Sequence, residues 1–221
     1  SPAIGPWEAS ADRALPYLSY SVADVDDAAT SLEQAGLKLA ARAGNSFAYY
    51  RASGGVLVRV ISRHLMPAGP GSNKAQAPID LGPPAADALY PCDISRAHEA
   101  LSRALGIEWR LPQLFALPWQ LADGSIVVRA ATATISQQRA PFIATEAPHG
   151  FPGEDSCSVS YTPHYLVFAT PNVAAADAQM KAAGMRFIAR SIVDDVAIIS
   201  AYRGAGGVSL EAVSPIFVPP A

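Results

Sequence analysis

The sequence predicts an α+β chain assembled from repeated β-α-β-β-β modules, and three observations carry that expectation. An Asn or Asp followed by a branched aliphatic, two variable residues and Ala occurs three times: Asp24-Val25-Asp26-Asp27-Ala28, Asp93-Ile94-Ser95-Arg96-Ala97 and Asn172-Val173-Ala174-Ala175-Ala176. Each phrase opens a helix-like run that closes on glycine, at Gly36, Gly106 and Gly184. The first and third runs are also flanked by matching strand-like segments. Asp and Asn accept hydrogen bonds from the free N–H groups of a helix start, and glycine takes the left-handed turn just past a helix end. Internal repetition of this kind outranks local propensity as a guide to architecture.

Taken in order, module one begins with the strand-like Pro16-Tyr17-Leu18-Ser19-Tyr20-Ser21-Val22, rich in aromatic and β-branched residues. After its helix come Ser46–Arg51, a Gly54-Gly55 turn and Val56–Ile61, a hairpin pattern. Module three repeats this with His164–Thr170 before the helix, then Val196–Tyr202, Gly206-Gly207 and Val208–Val213. A further short strand directly after each helix completes β-α-β-β-β. Module two is looser: a strand near Ala86–Cys92, a helix near Ser95–Leu105, a strand at Ile107–Arg110, a turn at Asp123-Gly124, then strands at Ile126–Ile135 and 141–145. The Pro- and Gly-rich stretch 66–83 reads as a linker, which divides the chain into a single module at 1–65 and two modules at 84–150 and 155–221.

The totals exclude several classes. The 221 residues are 50 % hydrophobic and 16 % charged, a globular composition, and the net charge of −3 with no basic cluster argues against nucleic-acid binding. No apolar run approaches the roughly 20 residues that span a bilayer. Cys92 and Cys157 stand far apart outside any CxxC pattern, so they read as free thiols in a reducing compartment such as the cytoplasm. The opening Ser1-Pro2-Ala3 reads as a processed product or fragment, with no signal-peptide order of residues. Phosphate loops and nucleophile elbows are missing.

Modules with this Asp/Asn-Val/Ile helix start, Ala-Gly helix end and Gly-Gly hairpin resemble the vicinal oxygen chelate superfamily, the glyoxalase, bleomycin-resistance, epimerase and extradiol dioxygenase group. The likeness covers about 14–64 and 160–216 most strongly and 84–150 less so, and 140–148 looks like the closing strand of epimerase-like first modules. The resemblance implies that modules two and three pair into an open, cup-shaped half-barrel around a divalent metal (Zn, Fe, Mn or Ni) and a small-molecule substrate. Module one is left without a partner: a preceding module is missing, or it pairs with its counterpart in a homodimer, or it packs on its neighbour's sheet, the first being favoured.

By the same resemblance, a His at the start of a first strand and a Glu on a last strand hold the metal, since imidazole and carboxylate suit such ions. Module three supplies both: His164, eight residues before the cap Asn172, and Glu211 on the last strand. Module one carries Pro16 and Arg59 at these positions, and module two Ala85 or Ala86 and about Ala144. Glu146, His149 or Asp87 would complete the set in a shifted register. A polar pair in a metal-free pocket is the other reading of His164 and Glu211, and of the two it is the favoured one. Glu211 and Tyr202 are the catalytic candidates, with Tyr161 and Tyr165 as further donors and core packing as their alternative. His98 reads as a surface residue, His64 and His149 as loop residues, Arg59 as an anion contact or exposed strand residue, and Trp109 and Trp119 as packing or cup lining.

Three functions follow. The first is a metal-assisted lyase, isomerase or dioxygenase, with glyoxalase- or epimerase-like proton transfer ahead of ring cleavage, which needs a second His ligand and a flanking His. The second is a metal-free protein binding an apolar or aromatic small molecule. The third makes module one an assembly element.

Overall fold

The computed structural model describes residues 17–65, 81, 84–91, 93–138, 141–147, 164–204 and 208–219, with the backbone alone at 147 and 164. Pro16, Cys92, His149, Cys157, Tyr161, the Gly206-Gly207 pair and all of the 66–83 linker but Leu81 lie outside the described residues.

The three helices form where the repeated phrase places them. Asp24 accepts from the backbone N–H groups of Asp26 and Asp27 at 2.7 and 3.1 Å, Asp93 from Arg96 at 3.0 Å, and Asn172 from Ala175 at 2.9 Å. These contacts start α1 (Val25–Gln34), α2 (Ile94–Leu105) and α3 (Val173–Ala182). Gly106 caps α2 at φ +66°, a left-handed backbone that costs other residues about 1 kcal/mol or more.

Around the helices stand β1 (Leu18–Val22), β2 (Lys38–Ala43), β3 (Phe47–Arg51) and β4 (Leu57–Ser62) in module one. Module two has β5 (Ala86–Leu89), β6 (Gln113–Leu121), β7 (Ile126–Ile135) and β8 (Phe142–Ala147). Module three has β9 (His164–Ala169), β10 (Arg186–Val193), β11 (Val196–Arg203) and β12 (Ser209–Val213). In every module the first strand lies parallel to the last, with the other two following antiparallel. The repeat is therefore one of topology as well as sequence.

Modules two and three join first strand to first strand, with Ala86 opposite Val167 and Ala88 opposite Tyr165. Their sheets curl together, and a short ladder of Ala189, Arg190 and Ser191 against Leu121, Gln120 and Trp119 closes the ring. Module two departs from the sequence reading in one place. Residues 107–110 form no strand beyond a bridge from Trp109 to Ser136, and the strand lies at β6 instead. Pro118 hid it, because proline cannot donate to a ladder. The structure accommodates Pro118 by starting the β10 ladder one residue later, at Trp119.

Module one shares its core with module two. Leu18, Tyr50, Val58 and Val60 from its sheet and Val25, Ala29 and Leu32 from α1 pack with Leu89, Ala97, Leu101, Ile107 and Ile143. Helices α1 and α2 thus lie between two sheets. The opposite face of its sheet carries Tyr17, Tyr49 and Arg59, whose guanidinium lies 4.5 Å over the Tyr17 ring while its Nε donates to Ser19 Oγ at 3.0 Å. Cation–π stacking of this kind accounts for Arg59 without a bound anion.

Candidate functional site: a carboxylate pair inside the barrel

Side chains alternate across a strand, so register decides which ones enter the barrel. Glu211 on β12 stands beside Val167 of β9 and opposite Ala201 of β11, and Val167 in turn pairs with Ala86. All of these are interior positions, and Glu211 is only 4 % exposed. Glu146 on β8 sits opposite Ala133 of β7, in the same interior row as Gln113 of β6. The interior is lined at this level by small residues, Ala86, Ala88, Ala133 and Ala144, and the room they leave is a cavity of about 70 Å³ reached by both carboxylates. Apart from Gln113 its remaining walls are apolar, among them Phe115, Phe142, Val167 and Ile199. A larger cavity of about 270 Å³ beside it shares Gln113, Ala133, Ile135 and residues 217–219, and adds Arg110.

The C-terminal segment forms part of both walls. Pro215–Phe217 make a 3-10 turn after β12, and the Phe217 ring packs on Phe115 with centroids 6.4 Å apart.

Burial raises both carboxyl groups. Glu146 is pushed up to about 7, chiefly by loss of water, against the lowering effect of its hydrogen bond from the buried Tyr90 hydroxyl. Glu211 is raised well above the ordinary carboxylate range by burial and then by the charge of Glu146. Tyr90 is raised too, by burial first and then by the two carboxylates, so its hydroxyl keeps its proton and donates. Two carboxyl groups that raise one another in an apolar site do not both ionise readily. A group titrating near neutral pH can also take up and return a proton.

Counting from the helix caps, Ala88 and Val167 each precede their cap by five residues, and their ladder partners are Ala144 and Glu211. Ala144 is therefore the module-two equivalent of Glu211. Glu146 enters the cavity from the next position on the same face, two residues and roughly 7 Å further along the strand.

Other site candidates fall elsewhere. Tyr202, expected at the catalytic centre, is corrected: it is opposite Leu210 in the ladder, on the α3 side of the sheet, and its hydroxyl donates to Asp177 Oδ1 at 2.6 Å. Asp177 also accepts from Ser200 Oγ at 2.7 Å and Lys181 Nζ at 2.7 Å. Burial alone would raise the Asp177 carboxyl, and these donors outweigh it to hold it below the usual range. Tyr202→Phe is expected to cost about 2 kcal/mol in denaturant unfolding, the loss of a hydrogen bond to a charged group. A change below about 0.5 kcal/mol would contradict this placement.

His98, read as a surface residue, is half-buried between α2 and the barrel wall. It stacks on Trp109 with centroids 4.0 Å apart and lies 2.6 Å from Thr145 Oγ1, and burial lowers its basicity. Trp109 is packing, its Nε1 donating to Ser102 Oγ at 3.0 Å. Tyr165 is fully buried inside the barrel, edge-on to Tyr90 at 5.2 Å. Asp87 lies on the opposite side of the sheet from the cavity, beside Tyr20 of module one, whose hydroxyl is raised to about 12 by burial and then by Asp87. The backbone of His164 opens β9 opposite Leu89, in the alternation of Leu166, whereas Glu211 stands beside Val167. Its side chain lies outside the described residues.

Among the described residues no three His, Cys, Asp or Glu side chains converge on one point. Two carboxylates, one already hydrogen-bonded by Tyr90, fall short of the three or four donors that hold a catalytic transition metal. The described donor set does not fit such an ion, and no step is assigned to one.

No family model and no curated protein matches this sequence. Solved structures do match. A 4-hydroxymandelate synthase variant from Streptomyces coelicolor is similar over 89 % of this chain and 68 % of its own, at 12 % identity and a TM-score of 0.50. A catechol 2,3-dioxygenase covers 93 % and 69 % at 15 % identity and a TM-score of 0.49, and a Mn(II)-bound glyoxalase from Novosphingobium aromaticivorans 89 % and 61 % at 14 % and 0.47. The chain spans about two-thirds of the length of these proteins. At these identities the likeness is one of fold, shared with the 4-hydroxymandelate synthase.

Proposed function

We propose that this chain, with its vicinal oxygen chelate fold, binds a small organic molecule inside the barrel, with Glu146 and Glu211 as the polar contacts and no transition metal required. The observation that carries the reading is the meeting of two carboxylates, Glu211 buried and Glu146 half-buried, in a cavity whose walls are mostly apolar and rich in alanine. Apolar walls with a few convergent polar groups are the usual anatomy of a small-molecule site, and the room for one comes from the adjoining cavity of about 270 Å³ together with the 70 Å³ beside the carboxylates. Fold by itself leaves activity open.

The test is a cavity-filling substitution. Indole, as a neutral aromatic probe, should raise the unfolding temperature of the protein, and Ala144→Trp should abolish that rise while the circular dichroism spectrum stays unchanged. An undiminished indole effect in the Ala144→Trp protein would place binding elsewhere and defeat the reading.

A second reading is a metal-assisted lyase, isomerase or dioxygenase with His164 and Glu211 as ligands. The presence of Glu146 beside Glu211 favours it, since the two carboxylates could serve one ion. Elemental analysis of protein purified without chelators separates the two readings: a stoichiometric transition metal supports the enzyme, and less than a tenth of an equivalent supports the binder.

A further inference from the structure

We propose that the barrel cavity selects a mono-ammonium ligand, an organic amine whose charged end sits between Glu146 and Glu211 and whose body lies along the apolar walls. The proposal rests on the barrel-binding reading and names the ligand class for it. Three features of the cavity converge on that class.

The first is an acceptor surplus. Carboxylate oxygens accept hydrogen bonds, and two carboxyl groups reach this one cavity, close enough for Glu146 to raise Glu211, with Tyr90 donating to Glu146. Glu211 is 96 % removed from solvent and lines the cavity. A negative charge on so buried a carboxyl is costly, and a ligand bringing N–H donors and a positive charge offsets that cost. An ammonium has three donors to share between two carboxylates.

The second is the wall. Phe115, Phe142 and Phe217 line the same cavity, and aromatic faces attract organic cations. A bare divalent ion gains nothing from such walls and needs more donors than the described residues converge there. An amine carrying an aryl or alkyl body matches both the floor and the sides.

The third is Arg110, which lines the larger outer cavity and lies 5.6 Å from the Phe142 ring. A second positive charge on the ligand would meet it. One ammonium with a neutral or anionic outer end is therefore favoured over a diamine.

Calorimetric titration in chelator-containing buffer at neutral pH, with three probes of nearly one shape, tests the proposal. 2-Phenylethylamine should bind at least tenfold more tightly than 2-phenylethanol, and 3-phenylpropionate should bind most weakly. In a Glu146→Gln, Glu211→Gln protein the amine's advantage over the alcohol should vanish. Equal affinities for amine and alcohol, or an amine preference that survives the double substitution, would overturn the proposal and leave the neutral pocket standing. Failure of all three probes to bind would overturn the pocket reading beneath it. Should the double variant not fold, the comparison of the three probes on the unaltered protein decides.

Discussion

Substituting Gly54 is expected to loosen module one from the barrel. Gly54 turns at φ +80° between β3 and β4, and a Cβ there would stand 2.9 Å from the Ala97 Cβ and 2.9 Å from the Asp93 carbonyl oxygen. Both neighbours belong to the start of α2, where module one docks. The Asp93 oxygen is backbone, already held by the N–H of Ala97 at 3.0 Å, and cannot move aside cheaply. Gly54→Ala therefore meets a conformational penalty of about 1 kcal/mol and an overpacking penalty of about 1–3 kcal/mol, and Gly54→Val meets more. Gly124 provides the control: its φ is +85°, but its added Cβ would meet nothing within 4 Å. Urea unfolding should show Gly54→Ala losing at least about 1 kcal/mol more than Gly124→Ala. Equal losses would mean that the turn does not bear on α2.

The second large effect is in the pH dependence of stability. Glu146 titrates near 7 in the folded chain and near the ordinary glutamate value when unfolded, so between those values the folded state holds the extra proton. Stability falls wherever the folded state binds more protons than the unfolded one as pH rises. The contribution from Glu146 is therefore fully present below about pH 4.5 and lost as pH rises through about 7, amounting to roughly 3 kcal/mol over that window. Glu211, raised in the same direction, adds to the loss. Glu146→Gln should flatten the profile and leave the protein more stable than the unaltered chain at pH 8, because an uncharged amide replaces a carboxylate that must ionise in an apolar site. Asp177 works in the opposite sense: its depressed carboxyl stabilises at neutral pH, and that share is lost as pH falls through the aspartate range. The measurement is chemical unfolding at a series of pH values. A profile for Glu146→Gln as steep as that of the unaltered chain above pH 5 would overturn the assignment.

The helices were legible because their signals are local. Asp24, Asp93 and Asn172 each bond to N–H groups two or three residues away, and Gly36, Gly106 and Gly184 all take positive φ. The module order was legible for the same reason, repeated three times. Glu211 was correctly set on a last strand, and Ala144 was correctly matched to it. The β6 strand escaped notice because Pro118 argues against a strand, and whether a missing N–H matters depends on where the neighbouring strand begins.

Residue types, spacing and repetition by themselves determined three capped helices, the β-α-β-β-β unit and the strand that bears Glu211. Only the tertiary structure decided that Glu146 meets Glu211, that Tyr202 turns toward Asp177 and that His98 is covered by Trp109. The reason is that a helix start is written in hydrogen bonds across a few residues. The face a strand residue presents is chosen by ladders and packing partners that lie tens of residues away in the chain.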